Sequence, residues 1–256
     1  MLVASRVKKW VEPLLYQTIA VQYTAPFDGY PNFTWDILLA AIRSKPPSFF
    51  HSVRHIHLSM HHGSINRTNA EALLSVCTRV ENLVLHWADV LDLLPLIAPL
   101  PLKYFTADFT QFFLYHPPTH RIFTHITHLA LGGTVLSAEK ADELSLVPRL
   151  THLSFERSAL VGLSLRLLDT CESLLVLIAL VVDSEIHNNH RQYLSALSRD
   201  PRFVTMTNYR YLADWQRGVH AGTDYWTRAE DFIARRRSGE IDALNYNLPD
   251  ASKLVS

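Results

Sequence analysis

Seven short stretches of the chain share one spacing of apolar residues. They are VRHIHLS from Val53, VENLVLH from Val80, LKYFTAD from Leu102, ITHLALG from Ile126, LTHLSFE from Leu150, LLVLIAL from Leu174 and, more weakly, PRFVTMT from Pro201. Apolar or small residues fall at relative positions 1, 4 and 6. Consecutive starts lie 27, 22, 24, 24, 24 and 27 residues apart. In a strand, alternate side chains share a face, so positions 4 and 6 point into a core and positions 3, 5 and 7 point the other way. Position 1 leads the chain into the strand. An earlier rung, Tyr16-x-x-Ile19-x-Val21, predicts a strand over TIAVQ with Ile19 and Val21 inside.

The segments between these strands read mostly as helix. TWDILLAAIRS has Thr34 as a candidate cap. TNAEALLSVC carries apolar residues at helical spacing, and Thr68 with Glu71 has capping-box spacing. SALVGLSLRLLDTC and EIHNNHRQYLSALS follow the same pattern. ADVLDLLPLIAPL is short or bent because of Pro95, and QFFLYHPPTHRIF, with Pro117 and Pro118, is irregular. A strand and a helix every two dozen residues is the leucine-rich-repeat period. The expected fold class is therefore α/β: an irregular leucine-rich-repeat-like solenoid over residues 16–209, with parallel strands alternating with helices. Position 9, where such repeats commonly carry Asn or Cys, holds His61, Ala88, Thr110, Thr134, Ser158 and Val182, so no asparagine ladder regularises the turns.

Stacked repeats need a terminal cap. YLADWQRG and DYWTRAEDFIARRR predict two helical pieces over 210–240, broken at Gly218 and Gly222 and anchored by Trp215, Trp226 and Phe232. The strand in LLVLIALVV is apolar on both faces, which predicts that this C-terminal helix covers Val176, Ile178 and Leu180. Residues 241–256 read as a disordered tail, and Arg235-Arg236-Arg237 as a solvated helix end favoured by the dipole.

Charge changes this picture little. Lys and Arg number 24 against 24 Asp and Glu, a balance with no bias toward nucleic acid or a membrane surface. The longest purely apolar run, Leu174 to Val182, is too short to span a bilayer, which takes roughly 20 helical residues. MLVASRVKKW lacks the apolar core of a signal peptide, so a cytoplasmic or nuclear protein is expected rather than a secreted one. Cys77 and Cys171 each sit three residues before position 1 of a repeat. Both should be buried thiols at helix ends, too far apart for a disulfide.

The candidate chemistry lies in histidine. HIHLSMHH, from His55 to His62, opens with an H-x-H, the spacing of some catalytic metal centres. In repeat register, however, His55, His128 and His152 all occupy position 3, and duplication of a repeat produces that recurrence without chemistry. A hydrolase of this type also needs ligands at later strand ends, which here hold Asp108, Gly132 and Glu156. His128 and His152, on adjacent strands, are placed to approach one another and titrate near pH 6 or hold a metal. Motifs for a nucleophile elbow, a phosphate loop, a C-x-x-C pair and an H-E-x-x-H zinc site are absent from the sequence. Gly132-Gly133 reads as a turn.

VEPLLYQTIAVQ resembles the stretch that follows the F-box in many F-box-like proteins of mushroom-forming fungi. DWQRGVHAGTDYWTRAEDFIARRRSGEI resembles their closing segment. Such proteins carry irregular leucine-rich repeats between the two. The resemblance implies that residues 1–15 are the trailing helix of an F-box-like region, with most of the F-box lacking. Docking of a Skp1-type adaptor is then not expected. It also implies a substrate-recognition module rather than an activity. The expectation is a non-enzymatic protein-interaction scaffold with no cofactor, an unknown protein partner, and neither nucleic acid nor membrane as ligand. The expected partner surface is the strand face: His55, His57, Asn82, His86, Tyr104, Thr106, Asp108, His128, His152, Ser154 and Glu156. The alternative is a metal-dependent hydrolase built on His55–His62.

Overall fold

The computed structural model describes residues 7, 11, 15–21, 34–59, 67–134, 136–156, 161–180, 196–206 and 211–249. The chain divides into two compact units, Met1–Phe112 and Phe113–Ser256. Each is α/β, with parallel strands alternating with helices.

In the first unit the strands are β1 (Thr18–Val21), β2 (His55–Ser59), β3 (Asn82–Asp89) and β4 (Tyr104–Asp108), paired in that order and all parallel. The register is that of the repeat. Ile19, Ile56, Leu83 and Phe105 face one another along position 4, and Val21, Leu58 and Leu85 continue one another along position 6. All are buried, as are Val53, Val80 and Leu102 at position 1. Burying each such side chain stabilises the fold by about 1.5–3 kcal/mol, so every added rung strengthens its neighbours. Backbone bonds lock the rungs at position 2: Arg54 N–H donates to Gln17 O (2.9 Å), Glu81 N–H to Arg54 O (2.8 Å) and Lys103 N–H to Glu81 O (2.8 Å).

Helices α1 (Trp35–Ser44), α2 (Arg67–Val76) and α3 (Val90–Ile97) separate these strands. Thr34 caps α1 as expected, its hydroxyl accepting from Ile37 N–H. The capping box on α2 does not form. Thr68 lies within the helix, and Glu71 instead accepts from Arg67 Nε at 2.8 Å. Pro95 sits in the last turn of the short α3, which runs two residues past it. The stretch expected to be irregular contains α4 (Thr110–Tyr115), started by Asp108, whose Oδ1 accepts from the Thr110 N–H and hydroxyl. The unit boundary falls within α4. The expected N-terminal helix lies largely outside the described residues.

The second unit holds β5 (His128–Leu131), β6 (His152–Phe155), β7 (Val176–Leu180), β8 (Phe203–Met206) and β9 (Asn247–Leu248), again parallel and in chain order. Between β5 and β6 runs α5 (Ala138–Glu143), and between β6 and β7 runs α6 (Val161–Thr170). Leu129, Leu153 and Leu177 form the position-4 row, fully buried. The last copy is displaced by one residue from its expected register. Leu177 pairs with Phe203, not Val204, and both Phe203 and Val204 are fully buried. The expected tail is also corrected. Residues up to 249 are structured, and β9 extends the sheet, with Thr205 N–H donating to Tyr246 O at 2.7 Å. Residues 250–256 lie outside the described residues.

Two helices close this unit, α7 (Tyr211–Ala221) and α8 (Tyr225–Arg237). The break expected at Gly218 does not occur. Instead α7 runs through it and ends before Gly222, whose φ of 66° is the left-handed conformation glycine adopts readily. A Cβ on Gly218 would lie 2.7 Å from Asp224 Cβ, so glycine there lets the two helices approach closely. Cys77 and Cys171 are buried free thiols at helix ends, and burial pushes the Cys77 thiol up to about 12. No helix among the described residues is long and apolar enough to cross a membrane.

Candidate functional site

Parallel pairing lines up equivalent residues of successive strands. In the first unit His55, Asn82 and Tyr104 form one row at position 3 and His57, Val84 and Thr106 another at position 5. The first row is half-buried. The second is buried, with His57 at 2% exposure, so the expectation of an exposed His57 and Thr106 is corrected. Asp108 is half-buried and committed to capping α4. The His86 side chain lies outside the described residues, as do His61 and His62. Among the described residues no group of three or more His, Cys, Asp or Glu is arranged to hold a metal ion.

In the second unit the same two rows meet a lid. Position 3 holds His128, His152 and Val176, and position 5 holds Ala130, Ser154 and Ile178. Helix α8 packs across them. His128 and His152 stack with ring centroids 4.0 Å apart and 11° between planes. Trp226 meets both rings edge to face, at 5.3 and 5.8 Å. His152 Nε2–H donates to Glu230 Oε1 at 3.0 Å, which leaves Nδ1 of the neutral ring to accept from the Thr151 hydroxyl at 2.8 Å. Two residues further along β6, the Ser154 and Tyr225 hydroxyls pair at 3.0 Å in a buried site. His152 (3% exposed) and Ser154 are thus covered, a second correction to the expected open face, while Glu156 stays half-buried. The predicted cover over Val176, Ile178 and Leu180 is present, since all three are buried and α8 lies against β7.

Burial sets the charge state of this pair. Desolvation, and then the neighbouring His152, hold the His128 imidazole well below its usual value. Desolvation also lowers His152, although Glu230 and Asp224 favour its charged form. Both rings are neutral at pH 7, and the pair joins a helix to a sheet rather than presenting a cation to solvent.

Two features of the lid were not apparent from sequence. Asp214, 1% exposed, accepts from Arg217 and Arg228 Nη2 through Oδ1 and from Tyr225 N–H through Oδ2, all at 2.7 Å, and so clamps α7 to the start of α8. Arg236, 4% exposed, donates to the carbonyls of Ser198 (2.8 Å), Phe203 (2.9 Å) and Ala243 (2.6 Å). The middle arginine is therefore a buried clasp, not part of a solvated helix end. Arg235 and Arg237 behave as expected: both are exposed, and Arg235 pairs with Glu240.

An open groove of about 520 Å³ lies between α2 and α3, lined by Arg67, Glu71, Asp92 and Leu96 among others. Arg67 bridges it, with Nε on Glu71 at 2.8 Å and Nη1 on Asp92 at 3.6 Å. Compared with known proteins, the chain matches no family model and none of the curated proteins.

Proposed function

We propose that the chain is a non-enzymatic protein-interaction scaffold of the leucine-rich-repeat kind, related to F-box proteins as a substrate-recognition module. The observation that carries this reading is the position-3 row of the first unit. There His55, Asn82 and Tyr104 stand side by side on three parallel strands and are half-exposed. Polar groups interspersed with rings are the usual chemistry of a recognition surface. The link to F-box proteins rests on the sequence phrases around residues 11–22 and 214–241. The partner is a protein, and the contacts are assigned to His55, Asn82 and Tyr104 rather than to the buried His57 and His152.

The test is affinity purification with mass spectrometry from the source cell, comparing the wild type with an Asn82→Lys/Tyr104→Glu variant of equal thermal stability. Loss of a partner from the variant supports the surface. Retention of every partner overturns it. The same experiment reads association with a Skp1-type adaptor, which this reading does not require.

A further inference from the structure

We propose that residues 242–249 form an exchangeable arm: when the hinge at Gly239 opens, β9 seats on β8 of a second copy of the chain, and the reciprocal exchange makes a dimer. The inference does not rest on the partner surface of the first unit.

The arm is lightly held. β9 is two residues long and stands last in the strand order, paired with β8. Within the arm only Leu248 is buried and Tyr246 half-buried; the other residues are exposed, Leu244 at 60%. One buried apolar side chain works against the entropy of ordering the whole arm. That balance puts it among the segments that open locally while the core stays folded.

Its seat is specific. Thr205 N–H donates to Tyr246 O at 2.7 Å, and the Thr205 hydroxyl to Asn247 Oδ1 at 2.5 Å. The Tyr246 ring lies against Phe203, with centroids 6.2 Å apart. Arg236 joins arm to edge, giving Nη2 to Ala243 O at 2.6 Å and Nη1 to Phe203 O at 2.9 Å. Phe203, Val204, Thr205 and Met206 are all buried beneath it. With the arm lifted, β8 is an open apolar edge, which readily accepts another strand. The contacts show that the arm's own sequence fits this edge, and every copy of the chain carries it. In the exchanged dimer each contact is remade with the other copy, by two-fold symmetry.

Gly239 supplies the hinge. Its φ is 80°, and just past it the Glu240 and Ile241 N–H groups turn back to Arg235 O at 3.0 and 3.2 Å. This fold-back directs the chain from α8 to its own β8 and requires a left-handed residue; an extended hinge does not. A Cβ at Gly239 would meet nothing within 4 Å, so a bulkier residue there penalises the folded-back form through the backbone alone.

Sedimentation of the full chain over a range of concentrations tests the exchange. The wild type should be monomeric when dilute and dimerise as its concentration rises. Gly239→Val should raise the association constant about a hundredfold, about tenfold for each of the two hinges. Adding Leu248→Asp, which unseats the arm, should return that protein to monomer. Thr205 and Asn247 are register partners, so Thr205→Cys chains mixed with Asn247→Cys chains in a glutathione redox buffer should form a disulfide-linked heterodimer that neither forms alone. Three results overturn the proposal: a Gly239→Val protein that stays monomeric at its highest soluble concentration, a dimer that survives Leu248→Asp, or no heterodimer in the mixture. If the variants do not fold, hydrogen exchange of the wild type decides. Amides of residues 244–248 that open only in step with 176–180 refute an arm that detaches by itself.

Discussion

The third strand position carries a histidine in both units, and the two meet different fates. In the first unit His55 stands in a half-exposed row with Asn82 and Tyr104. In the second, His128, half-buried like His55, stacks on the fully buried His152, with Trp226 and Glu230 of the closing helix against the pair, and desolvation lowers both rings. Residue type and repeat register are the same; what the described residues add in the second unit is a helix, 78 residues beyond His152 at Glu230, that lies over the strands. A repeat position fixes which way a side chain points. What meets it there is decided by elements outside the repeat, and with that its charge state and its availability to a partner.

The largest way to break the contrast is to unfasten the lid. Asp214→Ala leaves two guanidinium groups and the Tyr225 N–H without their shared carboxylate, and removing one member of a buried ion network costs about 3–5 kcal/mol. Urea denaturation followed by tryptophan fluorescence should show a midpoint lowered accordingly. His128 and His152 should then move toward the ordinary histidine titration range. An Asp214→Ala protein of wild-type stability would mean that α8 is held by its apolar side alone.

Next in size is the contact between the two closing helices. Gly218→Ala places a methyl group against Asp224, and overpacking of this kind costs about 1–3 kcal/mol. The same methyl in an open part of a helix would be stabilising, since alanine favours helix over glycine by about 1 kcal/mol. The sign of the change in melting temperature therefore tests how closely α7 and α8 approach, and a rise would refute the close contact.

The sequence disclosed much of this fold because strand periodicity is local. Positions 1, 4 and 6 could be read off the chain as core, and the register of β1–β3 and of β5–β7 follows from them, while β4 keeps it against β3 only as far as Val84, beyond which the pairing shifts. The same logic anticipated a cover over β7, since an apolar outer face needs one; of the two candidates, the C-terminal helix and a partner protein, it is the helix that lies against β7. What the sequence hid depends on distant partners. Thr106, Ser154 and His57 look like surface residues until their burial is known, and nothing near Arg236 in sequence shows that the carbonyls of Ser198, Pro201, Phe203 and Ala243 surround it. Gly218 looked like a helix breaker because glycine weakens helices, but its role is to make room for Asp224. The one-residue displacement of β8 was hidden because Phe203 and Val204 are both apolar and both fully buried, so apolar spacing alone does not distinguish the two registers.

The smallest test is also the most local. Tyr225 and Ser154 are both buried, and their hydroxyls meet at 3.0 Å, joining α8 to the fifth repeat position, on β6. Tyr225→Phe leaves the serine hydroxyl without that partner, and Ser154→Ala does the reverse. Each single change should cost about 1 kcal/mol, because a buried polar group loses its hydrogen bond. The double variant should cost less than the sum, since neither orphaned group remains. A coupling energy near 1 kcal/mol in this cycle, measured by chemical denaturation, places α8 on the strand face in solution. Strict additivity would mean that the two hydroxyls do not meet. The lid would then sit elsewhere, and the histidines of the second unit would be as open as His55.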